Sequence, residues 1–232
     1  MKFSLVIPCY NEAANLPILL ERCGKLSEAS GVEVIFVDNG STDNTSEVLL
    51  GLLPKYPGYR SIRVKDNKGY GFGILAGLRA ADGEILGWTH ADMQTDPQDV
   101  FAALDIFDKY GQNIFVKGKR YGRPFIDVFF TIGMSIFETL LLKKLMWDIN
   151  AQPTLFSRKF FESWSEPPFD FSLDLYAYYK AHKKNIKVYR FPVRFAQRAH
   201  GISHWNVNWA SKIKFIRRTL EFSIKLKKKI SL

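Results

Sequence analysis

Apolar residues along this chain fall into short β-branched runs that alternate with stretches of helical spacing. Residues 2 to 7 (Lys-Phe-Ser-Leu-Val-Ile) read as a strand stopped by Pro8. Asn11 is then placed to cap a helix whose apolar positions, Ala13, Leu16, Ile18, Leu19, Leu20 and Leu26, keep the helical period. A second buried strand spans Val32 to Val37, between Gly31 and Asp38-Asn39-Gly40. Ser41 or Asp43 caps the next helix, which turns Val48, Leu49, Leu52 and Leu53 to the core and closes at Pro54 and Pro57-Gly58. A third strand, Ser61 to Val64, leads through Asn67-Lys68-Gly69-Tyr70-Gly71-Phe72-Gly73 into a short helix over Ile74 to Ala81. Residues 84 to 89 form a fourth strand, Asp96-Pro97 opens a helix with proline in its first turn, and Ile114 to Lys117 returns as a fifth strand.

This alternation predicts an α/β fold with a mostly parallel central sheet and helices on both faces. Ligands of such sheets gather at the carboxyl ends of the strands. The polar loops 8 to 12, 38 to 43, 66 to 71 and 90 to 96 all fall there. The glycines between Gly69 and Gly73 lack dinucleotide spacing and follow the third strand, so they read as turn residues.

Beyond Gly118-Lys119-Arg120-Tyr121 the pattern changes. Residues 125 to 146 are apolar but contain Asp127 and Glu138. A spanning helix needs about twenty apolar residues with few charges, so an amphipathic helix lying on the domain or on a membrane is expected. Thr154 to Phe156 reads as a strand, Ser172 to Ala181 as a helix, Ile186 to Val193 as a strand, and a last helix runs from His204 to about Lys229. The expected organisation is one domain over residues 1–204 and a basic amphipathic helix over residues 205–232.

Hydrophobic residues at 47% and aromatics at 15% supply a core and exclude a disordered chain. Charge changes the picture more. Of a net +10, seven units come from Ser211 to Leu232, where eight Lys or Arg face only Glu221. A basic tail attracts nucleic acid or an anionic membrane surface. Trp205 and Trp209 at one end, with lysines interleaved among Ile213, Phe215, Ile216, Leu220 and Phe222, favour peripheral contact with a membrane, and no nucleic acid is expected. The same apolar positions would also suit packing on the domain or a homodimer. Cys9 and Cys23 have no metal-ligand spacing and read as buried free thiols in a reducing cytoplasm. Residues 1 to 8 are too short for a signal peptide, so export is not expected.

The chemistry centres on His90-Ala91-Asp92-Met93-Gln94, where the fourth strand ends. Asp92 and Gln94 lie two apart and hence on one side, and a carboxylate with an amide oxygen can hold a hard divalent cation and, through it, a diphosphate.

Six segments then appear in order: Val-Ile-Pro-Cys-Tyr-Asn-Glu, Val-Asp-Asn-Gly-Ser-Thr-Asp, Asn-Lys-Gly-Tyr-Gly, Ala-Asp-Met-Gln-Thr-Asp-Pro, Gly-Lys-Arg-Tyr and Arg-Ala-His-Gly-Ile-Ser-His. Across residues 5 to 204 they resemble the inverting family 2 glycosyltransferases of GT-A fold, in particular the dolichol-phosphate mannose synthase and polyprenyl-phosphate glycosyltransferase group. The resemblance implies a nucleotide-diphosphate sugar as donor. Pro8, Tyr10 and Glu12 would line the nucleoside pocket, with Asp38 and Asn39 on base or ribose; the family often has a second Asp where Asn39 stands. Asp92 and Gln94 would bind Mg²⁺ or Mn²⁺. His90 stands where the family usually has Asp, which removes one negative charge, and with Ala91 it would lie beside the donor. Arg120 and Arg198 would pair with the phosphates, and His204 stands where Lys is common.

The implied reaction is one in-line displacement at the anomeric carbon, with inversion. A polyprenyl phosphate acceptor at the cytoplasmic membrane face needs no base, whereas a sugar hydroxyl, in surface polysaccharide or glycolipid assembly, needs a carboxylate within reach. Asp174 sits where the family commonly has Glu near the acceptor, and Asp170 is a second candidate. Residues 125 to 142 carry none of the arginines usual near the lipid phosphate in that branch. The replaced carboxylates leave a further reading, a catalytically weak fold that binds membrane or nucleic acid through its tail.

Overall fold

The computed structural model describes residues 2–199 and 209–228; His200, His204 and Trp205 lie outside them. The elements are β1 (Phe3–Cys9), α1 (Leu16–Glu28), β2 (Val32–Asn39), α2 (Thr45–Leu52), β3 (Tyr59–Val64), α3 (Tyr70–Ala80), β4 (Ile85–Trp88) and α4 (Val100–Tyr110). There follow β5 (Ile114–Tyr121), α5 (Phe125–Leu142), β6 (Thr154–Ser157), α6 (Arg158–Glu162), α7 (Ser172–Lys183), β7 (Lys187–Arg194) and α8 (Trp209–Lys228). The seven strands form one sheet in the order β3-β2-β1-β4-β6-β5-β7. All neighbours are parallel except β6, which runs antiparallel to both β4 and β5.

Strands buried on both faces read as continuous apolar runs, and their side chains alternate between two cores. From β1, Phe3, Leu5, Ile7 and Cys9 enter the core beneath α1 and α4, with Leu16, Leu19, Leu20, Val100 and Phe107. Val6, Val37, Leu86, Trp88 and Phe115 enter the opposite core, with Ile74 and Leu78 of α3 and the α7 face. α3 lies close on the sheet because Gly77 has no side chain; a Cβ there would overlap Val6 and Val37. Both cysteines are buried and free.

Three helix starts depart from the expected ones: α3 begins at Tyr70, four residues before Ile74, so Gly71 and Gly73 lie inside the helix and not in a turn. Asn11 does not cap α1; it is left-handed, with φ 55°. Its N–H donates to Ser41 Oγ (3.1 Å) and its side-chain oxygen accepts from the Thr42 N–H (2.9 Å), so α1 begins four residues later, after Asn15. α2 likewise begins at Thr45, and Asp43 Oδ1 accepts the Thr45 N–H (3.0 Å) from outside the helix. At Asn11 and Ser41 an inter-loop bond outranks local capping.

α5 packs on the body by one narrow face. Ser135, Glu138 and Leu142 are buried, while Phe125 (86%), Ile126 (65%), Phe129 (65%) and Leu140 (74%) are exposed. By length and composition alone it is the single described helix that could cross a membrane. α8 lies along it: Ser223 Oγ is 2.5 Å from Glu138 Oε1, and Phe222 and Leu226 pack on the core below.

Candidate active site

The carboxyl ends of β1, β2 and β4 are neighbours in the sheet, and the loops leaving them are tied together. Cys9 pairs with Asp38 across β1 and β2. Besides the Asn11 bonds, the Glu12 N–H donates to Thr45 Oγ1 (2.9 Å) and the Ala13 N–H to Asp43 (3.3 Å). Within this rigid corner Asp38 is buried, accepts the Ser41 N–H (2.9 Å) and faces the Arg63 guanidinium (3.5 Å). Asn39 is buried and donates to the Gly69 carbonyl (3.0 Å), which ties β2 to the start of α3. Gly69 has φ 113° and turns against the Phe169 carbonyl, a conformation open to glycine. Pro8 and Glu12 are half-buried and Tyr10 is exposed, so these side chains remain available to a ligand. Burial pushes the Glu12 carboxyl up; the Asn15 amide opposes the shift, the charge of Asp92 adds to it and that of Arg198 lowers it.

At the end of β4 the chain turns through Met93, left-handed with φ 58°. Asp92 is 6% exposed. Its Oδ1 accepts the Gln94 N–H (3.1 Å) and its Oδ2 lies 2.8 Å from Arg198. The segment that carries Arg198 is strapped down at two further points: the Ala196 N–H donates to the Gln94 carbonyl (2.7 Å), and Gln94 Nε2 donates to the Ala196 carbonyl (3.3 Å). Ala91 is buried in the core under α1, leaving its backbone for any ligand. His90 stacks on Tyr70 (5.5 Å), which stacks on Phe171 (4.5 Å). Burial lowers the imidazole pKa, against the pull of Asp92 and Asp174, and so favours neutral His90.

Asp92 and Gln94 thus supply one carboxylate and one amide where a cation would be needed. Among the described residues no group of three His, Cys, Asp or Glu stands ready for a metal. A hard cation takes six to eight oxygens, so the donor set fits an ion that brings diphosphate oxygens and water with it.

Three expected site residues, Asp174, Arg120 and Asp170, are engaged elsewhere. Asp174, on the first turn of α7, is 2% exposed, and its Oδ1 accepts from Lys117 Nζ (3.2 Å) and Gln152 Nε2 (2.7 Å). Lys117 is fully buried and also donates to Thr154 Oγ1 (2.6 Å). Burial brings the Lys117 pKa down to about 8, with Asp174 as the largest opposing influence. Arg120 reaches Asp148: its N–H donates to Oδ2 (2.9 Å), and Nε (2.9 Å) and Nη2 (2.5 Å) donate to Oδ1. Arg123 and Arg190 stand 3.9 and 3.8 Å from the same carboxylate, and Arg120 and Arg123 both face the Phe195 ring. Burial alone would raise the Asp148 carboxyl, but the surrounding arginines, Arg120 foremost, bring it below the usual range. Asp170 pairs with Arg218 of α8 (3.3 Å).

The family model for glycosyl transferase family 2 matches residues 4–163, more than half of the chain. The chain belongs to glycosyltransferase family 2. An undecaprenyl-phosphate 4-deoxy-4-formamido-L-arabinose transferase of Serratia proteamaculans is 38% identical over 105 residues, 43% of this chain and 31% of that protein. A dolichol-phosphate mannosyltransferase of Pyrococcus furiosus is 33% identical over 121 residues, 52% of this chain and 34% of that one. The matched regions thus span about a third of these relatives. Solved structures agree in fold. Glucosyl-3-phosphoglycerate synthase of Mycobacterium tuberculosis, with Mn²⁺, UDP and glucosyl-3-phosphoglycerate, has a TM-score of 0.70 at 18% identity, covering 97% of this chain and 79% of that one. A Pyrobaculum calidifontis mannosyltransferase with GDP-Man and Mn²⁺ has a TM-score of 0.65 at 20% identity, covering 93% and 64%. The GT-A fold expected from the sequence is the fold observed.

Within this family 2 chain, sequence reasoning missed Lys117, Asp148, Gln152, Arg123 and Arg190. Lys117 had a signal: a lysine within the apolar run Ile114-Phe115-Val116 is rarely buried without a partner. Asp148 had none, since it lies in an irregular segment with a left-handed backbone, φ 47°.

Proposed function

We propose that this protein is a metal-dependent inverting glycosyltransferase that moves a hexose from a nucleotide-diphosphate sugar to a polyprenyl phosphate, working peripherally at the cytoplasmic face of a membrane. The observation that carries this reading is that β2 and β4, which flank β1, bring the buried Asp38 and Asn39 and the Asp92–Arg198 pair to the same carboxyl edge of the sheet. Carboxylate and amide at the end of β2 suit ribose and base, and Pro8 and Tyr10 would line the same pocket. Arg198 would carry the diphosphate, as a planar fork suits phosphate oxygens. A divalent cation at Asp92 and Gln94 would neutralise charge on the leaving diphosphate. The acceptor oxygen bonds to the anomeric carbon from the face opposite the leaving oxygen, that C–O bond breaks, and configuration inverts.

Asp174 bears on the choice of acceptor. A sugar hydroxyl must lose a proton, yet Asp174 is buried and held by Lys117 and Gln152. A phosphate oxygen arrives ionised and needs no base. The names of the relatives that transfer to undecaprenyl or dolichol phosphate support the same class. The exposed aromatic face of α5, followed directly by Lys143 and Lys144, and the exposed Lys225, Lys227 and Lys228 of α8 support contact with an anionic bilayer.

Incubation with a panel of nucleotide sugars, Mn²⁺ and polyprenyl phosphate should yield a charged glycolipid with inverted anomeric configuration. Transfer to saccharides alone would exclude the lipid acceptor.

A further inference from the structure

The residues read here as metal ligands are both held by one segment of the chain. Arg198 Nη2 sits 2.8 Å from Asp92 Oδ2, and Ala196 takes Gln94 through two hydrogen bonds, one at the backbone and one at the side-chain amide. The segment is in turn anchored behind Ala196, where the Phe195 N–H donates to the Tyr121 carbonyl (2.9 Å) and the Phe195 ring lies under Arg120 and Arg123. The ion pair uses only part of the Arg198 guanidinium. Its Nε is buried, and among the described residues nothing accepts from it. A buried donor without an acceptor is costly and marks a place where an acceptor is missing.

We infer that residues 195–198 form a strap held on Asp92 and Gln94, with Arg198 as a built-in cation that competes with a divalent metal there. A guanidinium 2.8 Å from Asp92 Oδ2 already neutralises the single carboxylate charge, so a divalent cation on the same group meets a like charge and a weakened ligand. The unpartnered Nε gives Arg198 a second destination, an oxygen of the donor's diphosphate. Metal and nucleotide then favour each other: the metal displaces Arg198 from Asp92, and the diphosphate receives the displaced guanidinium. Binding energies coupled in this way are reciprocal. Metal alone binds weakly, and metal with nucleoside diphosphate binds well. This rests on the donor site proposed above.

Mn²⁺ binding to the full chain, followed calorimetrically without nucleotide, tests the strap. Arg198→Gln is expected to bind Mn²⁺ about fivefold more tightly than the unaltered protein, on the scale of one partly exposed ion pair. Ala196→Pro deletes the N–H given to Gln94 and changes no charge, and it should shift Mn²⁺ affinity the same way. With saturating Mn²⁺, Arg198→Gln should bind UDP or GDP more weakly, by about tenfold, the loss of one charge-assisted phosphate contact. Asp92→Asn should bind no Mn²⁺ in either background. The strap is overturned if Mn²⁺ affinity is unchanged in both strap variants, rises in Arg198→Gln alone, or survives Asp92→Asn. Failure of the unaltered protein to bind any nucleoside diphosphate would overturn the donor reading instead, while the Mn²⁺ comparison still decides the strap.

Discussion

At the scale of single residues, the most demanding arrangement is the Lys117–Asp174 pair. Two charges taken fully out of water are tolerated because each is the other's partner and Gln152 and Thr154 complete the shell. Removing one partner leaves the other uncompensated, so Lys117→Met should cost about 3–5 kcal/mol in urea unfolding. Adding Asp174→Asn to that variant should recover most of the loss, because no buried charge remains. The recovered double variant should still transfer sugar to polyprenyl phosphate, whereas a base role for Asp174 would leave it folded and inactive. The expected roles of Asp92 and Arg198 could be drawn from motif positions, and the structure brings both to one place. Arg120 shows where motif reading stops: its position was legible, but its partner Asp148 comes from a distant irregular segment, and pairing across such a separation leaves no periodic trace.

At the scale of elements, strands and most helices were readable because burial on both faces writes β-branched runs and helical spacing into the sequence. Helix starts were not, because Asn11 and Ser41 satisfy each other across loops, and a local capping rule does not see a partner thirty residues away. The direction of β6 was equally hidden, since four buried residues carry no sign of which way they run. The α5–α8 contact makes a prediction of its own. Ser223 Oγ has one proton and lies 2.8 Å from the Thr219 carbonyl and 2.5 Å from Glu138. Where Ser223 donates to Glu138 it favours the ionised carboxyl, but burial outweighs that bond and raises the Glu138 pKa to about 7 from the ordinary 4.5. The folded chain therefore binds more protons than the unfolded chain between those values, so stability falls as pH rises through this window and stays lower above it. Glu138→Gln should match the unaltered protein near pH 4 and exceed it at pH 8 by about 1–3 kcal/mol, seen as a higher melting temperature.

At the scale of the whole molecule, the proposed function would assign the donor to the sheet edge that gathers Asp38, Asp92 and Arg198, and the membrane to the exposed face of α5. Phe125 and Phe129 are one helical turn apart and largely exposed, so Phe125→Ser with Phe129→Ser should leave the melting temperature unchanged. Partitioning onto anionic vesicles should fall at least about tenfold, given roughly 1.5–3 kcal/mol for each buried phenylalanine. Equal binding by both proteins would place the membrane contact elsewhere. The reversed strand β6 carries a consequence for how the molecule is made. β1, β2, β3 and β4 pair among themselves, so their half of the sheet can assemble as soon as residue 88 has left the ribosome. β5 has no such partner. Its neighbours β6 and β7 lie later in the chain, at residues 154–157 and 187–194, and α5 is synthesised before either. During that interval the nascent chain carries a formed half-sheet and an unsheltered apolar helix, and under the proposed function a bilayer is the surface on which that helix would rest until β6 closes the sheet.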